Sequence, residues 1–312
     1  MRQVHNPEVK SEDICGKTVF TFDSHHEALL PWAECALAVG DAPRLRLLTL
    51  DYHSDTRPAF ITFSTVDVAN SMDDEGWEER ATAEVAKIDF REVETIRDAV
   101  VNLRFDEHIS ASVQSRIIDI AFAIVGGLIT NEYQSNEQKA AEAAWRKRTQ
   151  NTPWVPKPIA PPPYTYSIPA ERIIELPRQK VSSSAQPRSK DYADQALESD
   201  FLRRHLELID EITKSAGVPG LFEAPFILDI DLDYFNTRRS VQPTNPDIFH
   251  DLIRRAEIIT IAREPKCVTD LQKPGEQLTS DWLEAELKRQ IREALSTPPI
   301  EDSVTTPTPA GA

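Results

Sequence analysis

Hydrophobic positions along the chain gather into short runs separated by longer stretches with a helical repeat. Thr18–Phe22 (TVFTF), Arg44–Leu50 (RLRLLTL), Pro225–Tyr234 (PFILDIDLDY) and Glu257–Ala262 (EIITIA) are strand-length and mostly apolar, as expected of strands covered on both faces. Helices are predicted over Glu27–Val39, at the end of the acidic stretch Asp67–Ala86, over Asp191–Ser215, near Asp247–Ala256 and over Trp282–Leu295, the third with apolar residues recurring at i, i+3 and i+4. Val113–Ile129 reads as buried, and periodicity leaves strand or helix open. Strands alternating with helices predict an α/β fold with a mainly parallel sheet.

The pattern breaks in the middle of the chain. Asn136–Gln150 is polar and helix-prone, Thr152–Pro163 (TPWVPKPIAPPP) excludes helix and central strand, and Ser-rich sequence follows to about Lys190. Residues 150–190 are therefore expected as an insertion or long loop, partly polyproline II, within one domain spanning 1–295; the tail 296–312 is expected to be disordered.

Composition narrows the chemistry. With 35 Lys+Arg against 51 Asp+Glu the net charge is −16, which repels a nucleic-acid backbone and attracts cationic ligands. Nine glycines, with no GxGxxG or GxxxxGK[ST] pattern, disfavour dinucleotide and NTP enzymes. Cys15, Cys35 and Cys267 suggest neither a disulfide framework nor a thiolate zinc site. No apolar run suits a signal peptide or a membrane span, so a cytoplasmic protein is expected. The oligomeric state is left open, a homo-oligomer included.

Three expected strands end in potential metal ligands: Asp23, His25 and His26 (FDSHHE), then Asp51, His53 and Asp55 (LDYHSDT), then Asp229, Asp231 and Asp233 (LDIDLDYF). Alternation along an extended segment puts residues i, i+2 and i+4 on one face. So many carboxylates together cost several kcal/mol without a cation, and a divalent metal removes that cost. Oxygen-rich donors with some imidazole favour Mn²⁺ over zinc.

The chain resembles the arginase–agmatinase–deacetylase superfamily on four short segments between about residues 18 and 265: a strand-end histidine, DxHxD, IDLD and a late TIAR strand at Thr260–Arg263. The pattern is most similar to the divergent arginase-like branch that includes peptide arginases, which convert arginine in ribosomally made peptides to ornithine and urea. That resemblance implies a three-layer arginase-like fold, two Mn²⁺ ions, and His25, Asp51, His53, Asp55, Asp231 and Asp233 as ligands, with Asp51 and Asp231 bridging. A register using Asp229 and Asp231 stays open. Asp-Ser-His replaces the family's GGDH, and Asn236-Thr237 replaces its Asp-Pro.

Catalysis on a guanidinium further needs a proton donor and a carboxylate acceptor, because guanidinium only donates hydrogen bonds. His108 is the expected shuttle with His26 next in line; the resemblance implies a substrate-orienting glutamate at Glu264, just after the TIA strand, with Glu27 the alternative. The expected partner is an arginine-containing precursor peptide, not nucleic acid or membrane. Alternatives are a small-guanidine hydrolase, a zinc-dependent deacetylase of the same fold, and a non-catalytic peptide-binding scaffold.

Overall fold

The computed structural model describes residues 8–40, 44–66, 76–127, 166–178 and 192–296, with isolated positions at 140, 143 and 144. Seven strands form one sheet: β1 Lys10–Ile14, β2 Lys17–Phe22, β3 Arg46–Asp51, β4 Ile120–Val125, β5 Ile173–Pro177, β6 Phe226–Asp231 and β7 Ile259–Ala262, in the order β1-β2-β7-β6-β3-β4-β5. β1 is antiparallel to β2, and every other pairing is parallel. Nine α-helices occur among the described residues: α1 Leu29–Val39, α2 Ile61–Val66, α3 Trp77–Val85, α4 Val93–Asn102, α5 His108–Gln114, α6 Ser199–Ala216, α7 Asp247–Arg255, α8 Pro265–Leu271 and α9 Ser280–Ser296.

Alternation along the strands divides the core in two. Leu48, Leu50, Phe122, Ile124, Leu228, Ile230 and Ile261 pack with α6, α7 and α9 on one face. Leu47, Ala121, Ile173, Ile227 and Ala262 face α1, α4 and α5 on the other. The sheet thus has helical cover on both sides, and β3, β4 and β6 are buried at every position. Burying an apolar side chain of this size contributes about 1.5–3 kcal/mol, so these continuous runs drive the layering.

The second face also carries buried polar groups. Parallel register places Thr260, Asp229 and Thr49 side by side on β7, β6 and β3, and Asp231 beside Ala262 one step further toward the strand ends. From β3 the chain moves on to β4 and β5 at one side, whereas from β6 it moves to β7 at the other. β3 and β6 therefore flank the topological switch point, the place where α/β sheets open a crevice beyond their carboxyl ends.

Several expectations change. Val113–Ile129 is divided: α5 ends at Gln114 and β4 occupies Ile120–Val125. Within 150–190, Ile173–Pro177 is an edge strand instead of loop, since the short run IIEL completes the apolar row beside β4. The third expected strand stops at Asp231, and Leu232–Tyr234 turns into a 3-10 helix. β1 and α4 were not expected. Most of 136–150, most of 150–190 and the tail beyond 296 lie outside the described residues.

Candidate metal centre

Three chain segments converge at the carboxyl ends of β2, β3 and β6. β2 delivers the chain to Asp23 and Ser24, after which a 3-10 turn over His25–Ala28 buries the His25 imidazole completely. His25 Nδ1 lies 3.4 Å from Asp51 Oδ2, 3.0 Å from Asp55 Oδ2 and 3.2 Å from Asp231 Oδ2. Its other nitrogen, Nε2, donates to Asp229 Oδ2 at 2.8 Å.

The DxHxD segment does not stay extended. Only Asp51 belongs to the strand; Asp55 sits in the left-handed region at φ 49, which turns its buried carboxylate back toward His25. Left-handed backbone costs a non-glycine residue of order 1–3 kcal/mol and persists where surroundings or function impose it, Asp tolerating it better than most. His53, half-exposed, reaches Asp233 Oδ2 at 2.9 Å and Asp51 Oδ1 at 4.0 Å. The expected single face of three side chains is thus replaced by a strand-end carboxylate and a returning loop.

The IDLD segment also bends. Asp231 caps the 3-10 turn by accepting the Asp233 N–H at 3.0 Å, and Asp233 Oδ1 accepts the Tyr52 N–H at 3.2 Å. Asp229 lies one step deeper in the sheet. Its Oδ1 accepts from Thr260 Oγ1 at 2.5 Å, and its Oδ2 from Thr49 Oγ1 at 2.8 Å as well as from His25. Both oxygens are thereby engaged, and Asp229, which belongs to none of the four triads, stands behind His25.

Ligand atoms of two triads lie within 4.8 Å of one another: His25, Asp51 and Asp231, and Asp51, His53 and Asp233. Asp51 belongs to both. Asp55 and His108 form a further triad with His25, and Asp233, Glu264 and Cys267 another. His25 Nδ1, Asp51 Oδ2 and Asp233 Oδ2 are buried with ionic neighbours at 2.9–3.4 Å but without a well-aligned hydrogen bond. Buried polar atoms ordinarily find partners, so three aimed into one cluster fit a bound cation.

Electrostatics say the same. Burial, then the charges of Asp55 and Asp233, raises the Asp51 carboxyl well above the usual range, and burial followed by Asp233 and Asp51 does the same to Asp231. Asp55 is pushed up to about 7, chiefly by burial. Burial alone would lower His25, but the Asp229 charge and hydrogen bond, with Asp231 and Asp51, hold it well above normal. His53 is raised to about 10, first by its Asp233 contact. The metal-free cluster therefore holds protons that a divalent ion would displace.

The other expected residues divide. His108, at the start of α5, is fully buried; its ring centroid lies 4.4 Å from that of His25, and its Nδ1–H donates to the Phe105 carbonyl at 3.0 Å. Burial, then the nearby His25 and His26 charges, keeps it well below the normal imidazole value, and Nε2 is buried without a partner. His26 is half-buried next to it. Glu264, also in left-handed backbone at φ 33, is half-buried and accepts the His25 N–H at 3.3 Å. Glu27 is buried in the His25–Ala28 turn and belongs to none of the four triads. Asp23 pairs with Arg263 at 2.7 Å at the surface instead of joining the cluster.

Sequence reasoning missed Arg178, which packs beside Asp233's turn, and the close approach that Gly126 permits there. A hypothetical Cβ on Gly126 would lie 2.9 Å from Tyr52 Cδ2 and 3.0 Å from Arg178 Cζ. A cavity of about 370 Å³ lined by Arg44, Arg91 and Arg116 shares no residue with the cluster. Among the described residues no helix is long and apolar enough to cross a membrane. No protein-family model matches the chain, and no curated protein matches it.

Proposed function

We infer that this chain is a binuclear-manganese hydrolase of the arginase-like α/β type, acting on the guanidinium of an arginine side chain in a ribosomally made peptide. The observation that carries the reading is the His25 environment: one imidazole nitrogen facing three carboxylates, its opposite nitrogen tied to a fourth. Such a carboxylate–histidine arrangement is how proteins orient and strengthen imidazole metal ligands.

His25, Asp51, Asp55 and Asp231 would hold one ion, and His53 and Asp233 a second, with Asp51 shared. Four carboxylates and two imidazoles form an oxygen-rich donor set, which favours Mn²⁺ over zinc. Two bound ions supply a nucleophile at neutral pH by lowering the pKa of water.

The chain's own residues supply the rest. Glu264, beside Asp233 and against the His25 backbone, offers an acceptor for guanidinium N–H groups, which are donors only. His108 keeps its Nδ1 proton on the Phe105 carbonyl and is the shuttle candidate; its depressed pKa leaves it neutral, so it would have to take up a proton from the attacking water before passing one to the departing amine. The net charge of −16 favours approach of a cationic substrate.

The test is mass spectrometry of an arginine-containing precursor peptide co-expressed with the chain and manganese, with Asp231→Ala as control. A loss of about 42 Da per arginine, the CN₂H₂ removed in metal-assisted hydrolysis to ornithine, is expected with the wild type only. No shift with metal bound, but urea from agmatine, would assign a small-guanidine hydrolase. Release of acetate from an acetylated amine with zinc would assign a deacetylase. Metal binding with none of these products would favour a peptide-binding scaffold, and absence of metal binding would overturn the reading.

A further inference from the structure

Arg178 follows β5 directly, its N–H donating to the Val125 carbonyl at 2.7 Å, and its side chain is only 2% exposed. Burying a guanidinium is costly unless its donors are satisfied and its charge is compensated. Its hydrogen bonds go to neutral oxygens instead of a carboxylate: Nη1 to the Tyr234 carbonyl at 2.5 Å and Nη2 to Asn236 Oδ1 at 2.6 Å. The guanidinium carbon stands 4.9 Å from the Tyr234 ring centroid and 5.8 Å from that of Tyr52, and Nε is buried without a partner.

Every group it touches leads to Asp233. Asn236 Nδ2 donates to the Asp233 carbonyl at 3.0 Å, Tyr234 follows Asp233 in the same 3-10 turn, and the Tyr52 N–H donates to Asp233 Oδ1. Gly126 leaves the space that lets Tyr52 and Arg178 close on this turn. A neutral amide thus bridges a buried cation to the turn.

We propose that Arg178 is a positioning residue for the second ion site: through Asn236 and the Tyr234 carbonyl it fixes the turn that aims the Asp233 carboxylate at His53 and Asp51. This rests on the two-ion reading above. The fork geometry matters as much as the charge, because one planar group must reach two acceptors at once.

The experiment is manganese binding by equilibrium dialysis, with electron paramagnetic resonance of the loaded protein, on wild type, Arg178→Lys and Asn236→Ala. In both variants the second ion is expected to bind about tenfold to hundredfold more weakly, as for other groups that orient a ligand. The resonance signal of an exchange-coupled pair gives way to that of an isolated ion, while the first ion stays bound. A role in stability alone would lower the melting temperature and leave the coupled signal intact at saturation. Asn236→Ala keeps the guanidinium and breaks only the bridge, so it still tests the relay if Arg178→Lys fails to fold. Two coupled ions held with wild-type affinity in both folded variants would overturn the proposal. Failure of wild type to bind a pair would overturn the two-ion reading itself.

Discussion

The Nε2–H of His25 and the hydroxyl of Thr49 share Oδ2 of Asp229, each at 2.8 Å, while Thr260 takes Oδ1. Asp229 is thereby locked into the sheet and fixes which nitrogen of His25 faces the three carboxylates. The ring orientation of this histidine is set by a residue outside the four triads.

Asp229→Asn should therefore weaken manganese binding by about tenfold to hundredfold without changing the number of ions bound at saturation. Asp51→Asn, by contrast, should reduce stoichiometry, since Asp51 belongs to both triads. Metal titration followed by elemental analysis separates the two. Equal stoichiometry loss in both variants would mean that Asp229 is a ligand after all.

The cluster also makes stability depend on pH in a defined direction. Asp55 has its folded pKa raised to about 7, above the roughly 3.9 of an unfolded aspartate. Its contribution is present below the unfolded value and is lost as pH rises through 7. His53, raised to about 10, contributes below about 6.5 and loses that contribution as pH climbs toward 10. Asp51, Asp231 and His25 are shifted in the same direction. The metal-free cluster thus becomes less favourable between pH 5 and 8, whereas metal affinity rises over that range as protons stop competing. The gain in melting temperature on adding Mn²⁺ should be larger at pH 8 than at pH 6; a gain equal at both would contradict the ligand assignment.

His108→Asn should keep metal content unchanged and reduce product release by about 10²- to 10⁴-fold, the usual range for a lost general acid. Its side chain is enclosed by His25 and Trp32, with ring centroids 4.4 and 5.3 Å away. A control for packing is therefore needed, and melting temperature supplies it. A fall in rate matched by loss of metal would point to a ligand role through the His25–Asp55–His108 triad instead.

How much of this was legible in the sequence depended on whether a residue's role was local. The runs TVFTF, LLTL, FILDID and ITIA announced themselves because burial on both faces leaves little room for polar residues. KSEDI did not, because four of its five positions are exposed and only pairing with β2 makes it a strand. IIELP was masked by its Pro- and Ser-rich flanks. At the site, residue identity was visible but depth was not. Asp229, Asp231 and Asp233 look equivalent by alternation, yet the strand ends between the last two and leaves the first behind His25. Arg178 carries no local signal, since its partners lie 56 and 58 residues away in the chain.

Gly126→Ala should destabilise the fold by about 1–3 kcal/mol, the range for overpacking a filled site. The added methyl meets Tyr52 Cδ2 at 2.9 Å, closer than real Cβ contacts come, and Arg178 Cζ at 3.0 Å, tighter than most. Chemical denaturation of metal-free protein measures it. A change within about 0.5 kcal/mol, typical of unconstrained surface positions, would show that the Tyr52–Arg178 packing yields easily.

The sheet closes at one side with β1, whose outward residues Lys10, Ser11, Glu12 and Asp13 are all exposed, and Glu12 is further held by Lys288 from α9 at 2.7 Å. A short, charged outer strand is a poor template for another chain's backbone. A peptide that docks by adding a strand to that edge would have to desolvate these charges with little apolar area in return. Strand addition is thereby disfavoured at the β1 edge, which leaves β5 as the edge of the sheet where backbone pairing meets less charge.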